Sequence, residues 1–234
     1  TIALFEKNIN SSYSVAWIDC YAKGKSLGRS LISLGEHSKK DELNFTESKN
    51  YLNISNDFKF LLPIYFPSFL INNFTVKLFN KFYFYKNVFA KKQTRIKLNQ
   101  YFYPLDKILN WNKFYGSKGF AQFQCVIPLS NSREGLTELL KSISDSKSSS
   151  FLAVLKRFSK QNEGISFPME GYSLALDFPI NKRNLLLMET LDEITIKYGG
   201  RFYLAKDSRI KKDIFDKSDE RLYSFRSFRK SNLD

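Results

Sequence analysis

Between Gly119 and Leu204 the hydrophobic period of the chain switches in a fixed order, and few folds accommodate that order. The stretch Phe120 to Pro128 (FAQFQCVIP) alternates every second residue, as a strand with one buried face does. From about Ser132, the residues Leu136, Leu139, Leu140 and Ile143 follow the i, i+3, i+4, i+7 spacing of a helix. Ser150 to Phe158 (SFLAVLKRF) and Tyr172 to Phe178 (YSLALDF) read as two further strands. Leu187, Leu191, Ile194 and Tyr198 then mark one face of a second helix, which Gly199-Gly200 ends at a left-handed cap. Arg201 to Leu204 (RFYL) supplies a fourth strand. The order β-α-β-β-α-β is a split βαβ arrangement, so an α+β fold is expected. Its antiparallel sheet should carry both helices on one face and leave the other open.

Upstream, Tyr13 to Tyr21 (YSVAWIDCY) and Leu27 to Gly35 (LGRSLISLG) read as an N-terminal hairpin turning at Lys23-Gly24-Lys25. A polar stretch from Glu36 to Asp57 reads as loop. Phe58 to Tyr103 is an aromatic-rich insertion, broken by Pro63 and Pro67, with no apolar run of the ~18–20 residues a spanning helix needs. Beyond Pro67, Leu70, Phe74, Leu78 and Phe82 recur at near-helical spacing with Lys77, Lys81 and Lys86 beside them. That stripe fits a helix packed on the domain. The alternative is an interfacial element that sets aromatics among lipid headgroups while lysines meet anionic lipid, a peripheral membrane contact.

Composition narrows the chemistry. With 234 residues, 43% hydrophobic and 26% charged, the chain can bury one good core. Cys20 and Cys125 make neither a disulfide framework nor a metal cluster, which points to a reducing, cytoplasmic compartment. The lone histidine, His37, excludes multi-histidine metal sites, and no metal is expected. The net charge of +14 is spread along the chain and accompanies abundant Asn, Phe, Ile and Ser, the signature of AT-rich coding. It does not call for a nucleic-acid partner. No secretory signal precedes the first strand, and the chain opens on Thr1 rather than Met, so both ends read as cut.

Period-two counting places Gln122, Gln124, Lys156, Ser173 and Asp177 on the open face, with Phe120 and Phe158 beside them. Amides, an ammonium and a carboxylate next to aromatic rings suit a sugar, whose hydroxyls need fixed donors and acceptors and whose ring needs an apolar platform. An ordinary solvated sheet face has the same pattern, with Lys156 paired to Asp177.

Five segments carry a resemblance. LNQYFYPLDKILNWNKFYGSKGFAQFQCVIP, SFLAVLKRF, SFPMEGYSLALDFPI and YGGRFYLAKDSR, preceded by YSVAWIDCYAKGKSLGRSLISLGEH, stand in the order and nearly the spacing of the substrate domain of decaprenylphosphoryl-ribose oxidases. These belong to the vanillyl-alcohol-oxidase-like flavoproteins, which also include D-arabinono-1,4-lactone oxidases. The resemblance implies a C-terminal substrate-domain fragment: residues 1–199 as the substrate-binding domain, 200–234 as the return to an FAD-binding domain whose main part lies upstream of Thr1. It places Lys206 at the catalytic lysine beside the flavin and, with Tyr203, at the cofactor. It places Lys156, Gln122, Gln124, Tyr115, Trp17 and Phe120 around the substrate, and Asp177 joins them from the face analysis. For Trp17, plain core packing is an equal expectation. Ala175, Ser173 and Val15 depart from the cysteine, asparagine and small polar residue of actinobacterial members.

The implied activity is FAD-dependent oxidation of a sugar hydroxyl, the 2′-hydroxyl of a polyprenyl-phosphoryl ribose, with a nicotinamide-dependent reductase completing an epimerisation in cell-envelope synthesis. An aldonolactone oxidase acting on a soluble lactone is the nearest rival. A non-catalytic, basic RNA- or membrane-binding module is the second. RNA-binding sheets of this topology display aromatics where this chain has Gln122, Gln124, Ser173 and Ala175, which argues against an RNA ligand.

Overall fold

Period-two alternation is satisfied along β5 (Phe120–Pro128), where Ala121, Phe123, Cys125 and Ile127 are buried and Gln122 and Gln124 are half-buried. The structure, a computed structural model, describes residues 1–49, 59–67, 71–90, 93–148, 150, 152–161 and 164–233. Its elements in chain order are α1 (Ile2–Lys7), β1 (Tyr13–Ile18), β2 (Ser30–Gly35), α2 (Phe45–Lys49), β3 (Phe60–Leu61), α3 (Asn73–Val88), α4 (Leu98–Phe102), β4 (Ile108–Leu109), β5, α5 (Ser132–Ser146), β6 (Ala153–Phe158), β7 (Gly171–Pro179), α6 (Lys182–Lys197), β8 (Arg201–Phe202), α7 (Lys212–Ser218) and α8 (Arg221–Leu233).

The main sheet is antiparallel, in the order β2-β1-β6-β7-β5-β8. This is the expected split-βαβ sheet with the hairpin added beside β6. α5 buries Leu136, Leu139, Leu140 and Ile143, and α6 buries Leu187, Met188, Leu191 and Ile194, all in one core with Leu155, Leu174 and Leu176 of the sheet. Truncating one such leucine typically costs about 2–5 kcal/mol. The Asn181 side chain caps α6 by accepting from the Asn184 N–H at 2.9 Å. Gly199 closes the helix at φ +69°, and a side chain on Gly200 would stand 2.6 Å from the Val126 carbonyl oxygen. The glycine pair therefore ends α6 and lets β8 meet β5. Cys20 and Cys125 are both buried; burial drives the Cys125 thiol up to about 12 and the Cys20 thiol higher still.

The hairpin differs from the sequence reading. Its strands pair from Tyr13–Gly35 to Ile18–Ser30, and residues 19–29 form a longer connection than a turn at Lys23-Gly24-Lys25. The reason is Asp19, whose buried carboxylate accepts from Arg29 at 2.5 Å, from Asn80 at 3.0 Å and from the Tyr21 N–H at 3.1 Å. Collecting these donors turns the backbone away from the ladder, through left-handed Gly24 and Gly28. RFYL pairs only through Arg201–Phe202, and the SFLAVLKRF strand begins at Ala153. The stretch read as loop holds the short helix α2; its remainder from residue 50 onward lies outside the described residues.

The insertion forms α3, and of the two expectations for its apolar stripe the packed one is not met. Val76 and Asn80 face the domain, whereas Phe74, Leu78 and Phe82 are exposed; Leu70 lies outside the described residues. An amide bound to Asp19 fixes the helix's rotation, and the apolar stripe turns outward.

Candidate functional site

The sheet face opposite α5 and α6 is not left open. At the hairpin end α3 lies over it: Tyr83 meets Trp17 with ring centroids 4.9 Å apart. At the other end a 3₁₀ turn, Trp111–Tyr115, drops Tyr115 onto Phe120, with centroids 4.6 Å apart. A third wall is the aromatic series Phe158, Phe167 and Tyr203, with successive centroids 5.9 and 4.9 Å apart. Aromatics of the insertion and of the β6–β7 connection thus replace solvent. Between these walls Gln122, Gln124, Val154 and Ala175 remain half-buried.

Pairing register sets the floor. Trp17 stands opposite Val154, Val154 opposite Ala175, and Ala175 opposite Gln124. One step along, Gln122 faces Asp177, and its amide nitrogen donates to the carboxyl at 2.8 Å. Tyr115 donates to the other carboxyl oxygen at 3.4 Å. On the opposite side Gln124 donates to the Ser173 hydroxyl at 3.3 Å. Burial pushes the Asp177 carboxyl up to about 6, while the bonds from Gln122 and Tyr115 and the attraction of the Lys206 ammonium oppose that rise.

A Lys156–Asp177 pair does not form. Lys156 is exposed and stands opposite Ser173, four residues along β7 from Asp177, a separation of about 13 Å at ~3.3 Å per residue. Lys206 is the cation whose field reaches Asp177. Its turn is held at both ends. The Lys206 N–H donates to the Tyr203 carbonyl at 3.0 Å, and the Tyr203 N–H to the Gln124 carbonyl at 3.0 Å. Beyond it, Asp207 accepts from the Ile210 N–H at 2.9 Å, and Arg209 grips Asp192 of α6 with two bonds of 2.6 and 2.7 Å. The Lys206 ammonium itself stays exposed beside the half-buried Tyr203.

Thus Gln122, Gln124, Phe120, Tyr115, Asp177 and Trp17 share one sheet face, with Lys156 on its exposed side and Tyr203 and Lys206 at one border. Trp17 is neither core nor fully open, since Tyr83 covers it in part. Phe167 and Tyr83 escape sequence reasoning: a single phenylalanine between Gly164 and Gly171 leaves no periodic trace, and Tyr83 lies in a helix aromatic on nearly every side. At this border the half-buried Tyr203 and the exposed Lys206 are the residues that could hold a cofactor, an aromatic ring and an ammonium suiting a flat ring system that carries negative charge.

The class so defined is an α+β domain with a partly sheltered polar sheet face, ringed by aromatics and flanked by an exposed lysine on a hydrogen-bonded turn. The chain is decaprenylphosphoryl-β-D-ribose-oxidase-like over most of its length. It is 35% identical over 207 residues to the decaprenylphosphoryl-beta-D-ribose oxidase of Mycolicibacterium smegmatis, a match spanning 88% of this chain and 45% of that protein. It is also 31% identical over 114 residues to an uncharacterized protein in the mprA 5′ region of Streptomyces coelicolor, covering 48% of this chain and 31% of that protein. The chain therefore spans less than half the length of these relatives. No family model matches it.

Proposed function

We propose that this chain provides the sugar-binding wall, and one electrostatic catalyst, of an FAD-dependent oxidoreductase that oxidises a sugar hydroxyl. The 2′-hydroxyl of a polyprenyl-phosphoryl ribose is the favoured substrate, in the first half of an epimerisation that a nicotinamide-dependent reductase completes. Residues 1–199 act as the substrate-binding domain and 200–234 as the return toward the flavin-binding part. The reading is supported most by one observation: the Gln122–Asp177 pair lies on the same sheet face as Gln124 and within the field of Lys206.

FAD, when bound, supplies the two-electron acceptor. The residues of this chain bind and position. A carboxyl group takes the nitrogen of Gln122, which leaves the amide oxygen to accept from a sugar hydroxyl. Phe120, backed by the buried ring of Tyr115, offers an apolar platform at the side. Lys156, exposed at the far side of the face, meets a phosphate or an outer hydroxyl. Lys206 holds positive charge where negative charge develops, which is preorganisation rather than proton transfer. Ala175, opposite Gln124, and Ser173, which accepts from the Gln124 amide, shape the wall beside Gln124.

An aldonolactone oxidase remains the second reading, supported by the small side chain of Ala175 on the half-buried floor. The test is anaerobic reduction of flavin in the full-length protein, with a polyprenyl-phosphoryl ribose and with D-arabinono-1,4-lactone in parallel. Reduction by the first substrate is expected. Reduction by the lactone alone would transfer the assignment to the rival, and reduction by neither would remove both.

A further inference from the structure

We propose that α3 is a membrane-docking helix, and that its outward face enters the headgroup layer of an anionic lipid bilayer. At 100° per residue, Phe74, Leu78, Phe82 and Tyr85 fall in one narrow sector of the helix, and Phe89 at its C-terminal cap continues it. All five are exposed, Phe74 by 74%, Phe82 by 65% and Phe89 by 84%. The opposite sector, Val76 and Asn80, is the one fastened to the sheet. The outward aromatics are therefore not an unfinished core. They form a contiguous apolar strip left in water by a helix whose rotation is otherwise fixed, and such strips mark interaction sites.

Charge selects the partner. Lys77 and Lys81 flank the strip on one side and Lys86 on the other, and from Phe58 to Leu105 the chain has eight basic and no acidic residues. Two copies placed face to face would oppose lysine to lysine, which disfavours self-association. An anionic bilayer satisfies both features, since aromatic rings settle at headgroup depth and each nearby lysine is attracted to the anionic surface. Among the described residues no helix is long and apolar enough to cross a membrane, so α3 lies in the plane of the surface. Its inner side reaches the candidate site directly: Tyr83 meets Trp17, which stands opposite Val154 on the half-buried floor. Docking thus places the polar sheet face beside the bilayer that holds a lipid-borne substrate. The inference deepens the proposed function but stands on the face of α3 itself.

The test is sedimentation of the full chain with vesicles of phosphatidylcholine alone, or with about one third phosphatidylglycerol. The expected result is at least about ten-fold stronger partitioning to the anionic vesicles, weakened in ~0.5 M salt. It should be lost in Lys77→Glu/Lys81→Glu and in Phe74→Ser/Phe82→Ser, with circular dichroism unchanged. Equal partitioning to both vesicles, binding to neither, or full binding by the Lys77→Glu/Lys81→Glu chain overturns the proposal. A dimer in size-exclusion chromatography that Phe74→Ser/Phe82→Ser converts to monomer also overturns it, by giving the face to self-association. Failure here leaves flavin reduction by a sugar untouched, so the two readings fall separately.

Discussion

Gln122 and Asp177 stand directly opposite one another on β5 and β7, joined by a 2.8 Å hydrogen bond from amide nitrogen to carboxyl oxygen. The pair lies on the half-sheltered sheet face, and Asp177 itself is only 2% exposed. Water is withheld from the carboxyl more thoroughly than its neighbours compensate, so it stays partly protonated near neutrality.

That balance sets a pH dependence. The folded carboxyl titrates at about 6, above its ordinary 3.8, so the stability it contributes is fully present below about pH 4 and is lost as pH rises through 6. Two pKa units correspond to about 3 kcal/mol. Urea unfolding of the parent and of Asp177→Asn should therefore diverge by about 2–3 kcal/mol between about pH 4 and 7, with the asparagine chain gaining relative to the parent. A difference that stays flat across this range would show the carboxyl to be solvated.

Lys206 and Lys156 should fail in different ways in the full-length protein. Lys206→Ala is expected to slow reduction of bound flavin by ~10²–10³ while flavin content, read from absorbance of the purified protein, stays near the parent's. Lys156→Ala is expected chiefly to raise KM, because a contact made equally before and during the chemistry affects binding alone. Parent-like reduction by Lys206→Ala at saturating substrate would withdraw its catalytic role.

The Arg209–Asp192 pair ties the Lys206 turn to α6 through two short bonds, with side chains 14% and 4% exposed. Arg209→Ala strands a buried carboxylate and should cost about 3–5 kcal/mol by denaturant unfolding. Arg209→Leu/Asp192→Leu should recover most of that loss, since apolar replacement of both charges is often neutral. Equal losses in both chains would mean that packing, and not charge, holds the turn.

Asn80 is the polar latch of α3. Asn80→Leu removes a donor from buried Asp19, a change worth about 1–3 kcal/mol. Amide hydrogen exchange across residues 73–88 should accelerate while β5 and β7 keep their protection. Unchanged exchange in α3 would assign its attachment to aromatic contacts such as Tyr83–Trp17.

The central sheet and its two helices were legible in the sequence because each buries a single face. The alternation of Phe120 to Pro128 and the leucine spacing of α5 and α6 are direct imprints of that burial. The rotation of α3 left no such imprint. Its apolar periodicity, Phe74–Leu78–Phe82, points away from the sheet, and what holds it is an amide bonded to a carboxylate 61 residues earlier. The same holds for the site. Strand parity placed Gln122, Gln124 and Asp177 on one face, but the aromatics that shelter them arrive from Trp111–Tyr115, Phe167 and Tyr83. Contacts between distant segments have no period to read.

The two buried thiols make the molecule its own stopwatch. Cys125 sits beneath α6 in β5 and Cys20 in the hairpin connection, and neither is reactive while covered. An alkylating reagent therefore registers only openings of the chain, and it registers them at two separate places. If Cys20 is labelled faster than Cys125, the hairpin lifts off while the central sheet stays closed. If both are labelled at one rate, the chain opens as a single cooperative unit.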